Sequence, residues 1–161
     1  MSYSFDVKNV PGAIGGLALA NFGMSIMIYT ITERIFETQS DVMLGFVYFF
    51  IIIGLFMMVL YLLRVFADPL LFYKQDFSSP AKIATVGAFS MATCLLGKAI
   101  RINELDLPAS LPAAIVYIGS FIQLIAMIYF LISCWKTSTW SEPYWNNAVH
   151  SILFAAVCLG E

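Results

Sequence analysis

Charge is what this sequence has least of. Charged residues make up 11% of the chain, against 61% apolar ones, and the formal net charge is −2. A soluble domain carries about 25% charged residues, so the chain falls outside that class. The slight acidity excludes a nucleic-acid partner, because phosphate binding needs a basic surface. It also leaves no broad basic face for anionic lipid. Histidine is nearly missing, with His150 alone. Histidine metal clusters and Cys/His catalytic pairs therefore have almost nothing to build on. Cysteine is sparse too. Cys94, Cys134 and Cys158 lie within or beside apolar runs, and no two share a metal-ligand or redox spacing. They read as small hydrophobes packed among helices. No cofactor or metal is expected, and no enzymatic constellation is present.

Apolar runs are what the sequence has in abundance. Met1–Val10 contains Asp6 and Lys8 and has neither the basic start nor the cleavage site of a signal peptide. The run 11–31 carries no charge, and about 20 such residues cross a ~30 Å hydrocarbon core. Its first half, with Gly12, Ala13, Gly15, Gly16, Ala18 and Ala20, has small residues that let helices approach closely. The run 42–66 is bulky and apolar all round, with Arg64 at its end placed to reach the interface. The third run, 81–100, is small and polar, with Thr85, Gly87, Ser90, Thr93 and Gly97. Such a helix belongs inside a bundle. Pro80 suits its first turn, with Ser78 or Ser79 as cap. A fourth run covers 111–135, with Tyr117, Tyr129 and Trp135 as an interfacial belt.

The expected fold is an all-α membrane protein, a polytopic helical bundle of four spans plus a truncated fifth over 147–160. That last stretch is too short to span. Ending there would leave carbonyls and carboxylates inside lipid, so the chain reads as an N-terminal fragment forming one transmembrane domain over 1–161. Lys8, Arg64, Lys74, Lys82 and Lys136 fall on one side and Arg34, Lys98 and Arg101 on the other. That bias favours a cytoplasmic N-terminus. The alternation of small and bulky runs suggests inner odd-numbered spans sheathed by outer even-numbered ones.

Three features admit competing readings. Lys98, one turn from the end of its span, either snorkels to the interface or faces an aqueous vestibule with Arg101 and attracts anions. Phe89, among small residues, either packs or occludes a pore, since apolar constrictions can gate. His150 reads as a helix-end residue or as part of proton-coupled transport.

Three segments resemble one family. They are VPGAIGGLALANFGM (Val10–Met24), DFSSPAKIATVGAFSMA (Asp76–Ala92) and SEPYWNNAVHS (Ser141–Ser151). The chain is similar to the N-terminal half of the tellurite-resistance/C4-dicarboxylate transporter family, which includes bacterial TehA and the slow-type anion channels of plant guard cells. The resemblance implies ten helices with the inner ones around a pore, commonly a trimer. It also implies passage of halide, nitrate, sulfite, tellurite or C4-dicarboxylates across a bilayer, in bacteria the inner membrane. Carried over, Gly15, Gly16 and Asn21 lie on the first inner helix and Phe89 and Ser90 on the second; these five, with Thr93, are the expected pore-lining residues. The departures are Ser79, where the family often has His, and Asn146–His150, where it has a Pro-Thr-Val-Gly-like start. The family's gating phenylalanine, on a ninth helix, has no counterpart. The expected function is therefore transport of small anions as a channel or exporter. The alternative is a small four-helix membrane scaffold or accessory subunit that transports nothing.

Overall fold

The computed structural model describes residues 10–36, 41–102, 107, 108 and 110–137. All regular structure among them is helical: α1 (Ile14–Phe36), α2 (Asp41–Ala67), α3 (Pro69–Asp76), α4 (Pro80–Ile102) and α5 (Ser110–Thr137). Four of these, α1, α2, α4 and α5, are long and apolar enough to cross a membrane. The chain is an integral membrane helical bundle. The stretch 147–160, with His150 and Cys158, lies outside the described residues.

The helices pack in the order α2, α1, α4, α5. Their apolar cores form at each contact. Phe22 and Ala18 of α1, Met58 and Tyr61 of α2, and Phe89, Ala92 and Leu96 of α4 make the first. Ile83 and Val86 of α4 meet Ala126, Phe130 and Cys134 of α5 in the second. Small residues set how closely the axes approach. A β-carbon on Gly97 would lie 2.8 Å from the Pro112 carbonyl, and one on Gly119 2.9 Å from the Ser90 carbonyl. Lipid gives helices no hydrophobic drive to associate, so this close packing supplies much of the attraction between α4 and α5. The Ser90 hydroxyl adds polar glue by meeting the Gln123 amide across the same interface.

The polar third span is the enclosed one: 67% of the α4 window is buried, against 22% for α2 and for α5. The first span differs from its expected inner place, with 28% of its window buried. One side of α1 holds α2 and α4, while Leu17, Met24, Met27 and Ile31 on the other side are exposed. Their spacing of seven, three and four residues puts them on one side of the helix.

The connection between the second and third spans is not a plain loop. Asp68 caps α3 by accepting from the Leu71 amide at 3.0 Å, and Pro69 occupies its first turn. Asp followed by Pro is a strong helix start, because the carboxylate satisfies an orphan N–H and proline has none to lose. Helix α4 begins at Pro80, with the Ser79 carbonyl accepting from the amides of Lys82 and Ile83.

Candidate functional site

Helix α3 folds back against α2 and α4. Its inward face carries Phe72 and Asp76, four residues apart and hence one above the other. On α2, Tyr61 and Arg64 are three apart and share a face in the same way. The two faces meet beside the first turn of α1. There Arg64 Nη2 lies 2.5 Å from Asp76 Oδ2. It also lies 3.2 Å from Gln75 Oε1, to which it donates. The guanidinium carbon sits 5.7 Å above the Phe72 ring.

This pair is buried. Arg64 is 6% and Asp76 4% exposed. Arg64 therefore does not snorkel to the interface as an arginine at the end of an apolar run would. The reason is α3, which brings a carboxylate to it and covers it. Taking two charges out of water costs several kcal/mol per ion, offset only if their remaining polar atoms are also satisfied. Here they are not. Among the described residues, Arg64 Nη1, Asp76 Oδ2 and the Tyr61 hydroxyl, each buried, find no hydrogen-bond partner. The contact between Arg64 and Asp76 is thus an ion pair without aligned hydrogen bonding to Oδ2.

The start of α1 closes the cluster. The Pro11 carbonyl accepts from Ile14, and the Gly12 carbonyl from Gly15. A β-carbon on Gly12 would stand 2.5 Å from Asp76 Oδ1, 3.1 Å from Thr85 Oγ1 and 3.3 Å from Arg64 Nη1. Only glycine lets the helix start approach the ion pair this closely. A helix N-terminus carries about half a positive charge, so Asp76 faces both that end and Arg64. Beneath it, Tyr61 stacks on Phe89 with centroids 4.1 Å apart and meets the edge of Phe72.

Of the residues the sequence singled out, Gly15 and Phe89 are brought together, a β-carbon on Gly15 falling 3.0 Å from that of Phe89. Ser90 and Thr93 are buried in α4, donating to the carbonyls of Gly87 and Phe89. Gly16 faces open space. The Asn21 amide donates to the Leu17 carbonyl within its own helix. Lys98 and Arg101 are exposed at the far end of α4. At 1.5 Å per residue they lie about 20 Å from Thr85 and the ion pair. Asp76 and the buried state of Arg64 are what sequence reasoning missed. The Asp68–Pro69 start signal was the one clue, since it marks a helix start between the second and third spans.

Among the described residues no group of three His, Cys, Asp or Glu side chains could hold a metal ion. Cys94 and Cys134 are both buried. Compared with protein-family models, with characterised proteins and with solved structures, the chain matches none.

Proposed function

We propose that this membrane chain serves the passage of small anions, as a channel or exporter for halide, nitrate, sulfite, tellurite or C4-dicarboxylate. The observation that carries the reading is Arg64, a guanidinium held within the bundle, its Nη1 without a hydrogen bond among the described residues. Ionisable residues inside membrane bundles are costly and mark ion or substrate pathways by default. The enclosed, small and polar α4 beside it supports the same reading. So does the resemblance of Val10–Met24, Asp76–Ala92 and Ser141–Ser151 to the tellurite-resistance/C4-dicarboxylate transporter family. In this proposal the protein is a homotrimer of a bacterial inner membrane with a cytoplasmic N-terminus, which puts the Arg64 cluster at the cytoplasmic end.

A scaffold or accessory role without transport is the second reading. The open side of α1 favours it, since Gly16 there resembles a helix-docking glycine with no neighbour within 4 Å among the described residues. Proteoliposomes loaded in turn with chloride, nitrate, sulfite and malate separate the two. Anion flux that Arg64→Gln diminishes supports passage. Absence of flux for all four ions leaves the scaffold.

A further inference from the structure

The Arg64 cluster has the make-up of an anion site already filled by one of the protein's own carboxylates. Three observations converge on it. The start of the long helix α1, the end that carries positive partial charge, lies here, with Gly12 beside Asp76 and Arg64. Arg64, more than nine-tenths buried, keeps Nη1 without a hydrogen bond among the described residues. Gly12 brings the helix start against the pair, because a β-carbon there would lie 3.3 Å from that Nη1 and 2.5 Å from Asp76 Oδ1, the place the Asp76 carboxylate now fills. An anion there meets a guanidinium donor and a helix end together, the pairing that charge-assisted recognition uses. Asp76 satisfies the site only in part, since its Oδ2 gains the charge contact and no hydrogen bond.

We propose that Arg64 and the start of α1 form a binding site for a small monovalent inorganic anion, with the Asp76 carboxylate occupying it as a tethered competitor. The competitor rides on α3, eight residues long, whose Phe72 meets the edge of Tyr61, whose Tyr73 meets Tyr129 and whose Gln75 accepts from Arg64. An arriving anion replaces Asp76 at Arg64, and the carboxylate leaves with α3. The inference takes its choice of ligand from the proposed anion passage. The site itself stands on the geometry, so binding without flux would keep the site and remove the transport reading.

The test is chloride-dependent stability of the full chain in detergent, with sodium gluconate at equal ionic strength as the control for screening. Asp76→Asn removes the competitor and leaves the cation. If the wild-type site is free for only a few per cent of the time, the variant's apparent chloride affinity rises by roughly tenfold or more. Its unfolding midpoint then climbs with chloride, well beyond the wild-type response. Should Asp76→Asn fold only when chloride is present, that rescue counts equally for the site. Failure to fold in either salt, or the same weak response as wild type, overturns the proposal. The doubly neutral variant Arg64→Gln/Asp76→Asn buries no charge and serves as the folded control. Chloride dependence that persists in it would place the anion elsewhere and sink the assignment.

Discussion

Replacing Gly119 by alanine tests the packing that holds α5 to α4. The new β-carbon would meet Cys94 Sγ at 2.7 Å, the Ser90 carbonyl oxygen at 2.9 Å and the Cys94 amide nitrogen at 3.0 Å. Two of these three atoms are backbone, so no side-chain rotation relieves the clash. Helix α5 must instead withdraw from α4 by about half an ångström. A gap of that size already forfeits about a quarter of the dispersion energy of the atoms that line it. Overpacking of this kind costs about 1–3 kcal/mol. The withdrawal also stretches the contact between Ser90 and Gln123. Gly16→Ala is the matched control, because nothing lies within 4 Å of its β-carbon. Alanine there removes glycine's helix penalty, leaving stability unchanged or raised by up to about 1 kcal/mol. Unfolding by SDS titration in mixed micelles, followed by circular dichroism, measures both. Equal destabilisation of the two variants would refute the reasoning, since it would make all glycines in the spans alike.

Three further outcomes follow from the same geometry. Gly12→Ala drives a methyl group against Asp76 Oδ1, and should lower stability by about 1–3 kcal/mol in the same assay; a neutral result would mean that α1 does not rest on the ion pair. Tyr61→Phe deletes a buried hydroxyl that makes no hydrogen bond while keeping the stack on Phe89. Its stability should stay within about 1 kcal/mol of wild type, or rise, and a loss of several would show that the hydroxyl holds a partner. Ser90→Ala removes the hydroxyl that joins α4 to Gln123 of α5, for a cost of about 0.6 kcal/mol and at most about 1.7; a larger loss would point to a wider polar network.

The spans themselves were legible from sequence because the bilayer demands length and apolarity, which a single chain displays openly. The special character of α4 was legible too, since Thr85, Ser90 and Thr93 are costly against lipid. The inward face of each helix was not. Small residues fall on several sides of α1, so nothing in the sequence distinguishes Gly15, pressed against Phe89, from Gly16, which faces outward. Arg64 looked like an interface residue because its partner lies 12 positions on in the chain, across a turn. Only the fold of α3 reveals that Asp76 meets it. Charge placement near span ends depends on such connections, and hydropathy alone does not register them.

Whether Arg64 and Asp76 act as one buried unit is read most directly from a double-mutant cycle in gluconate, with unfolding free energies for wild type, Arg64→Gln, Asp76→Asn and the double variant. Breaking a buried pair by removing one partner costs about 3–5 kcal/mol, because it strands the other charge, whereas removing both leaves no charge to strand. The double variant should therefore be more stable than at least one of the singles, with strong positive coupling. Single losses that are small and add to within about 0.5 kcal/mol would describe two independent, solvated side chains, and would contradict a buried charge centre at the start of α1.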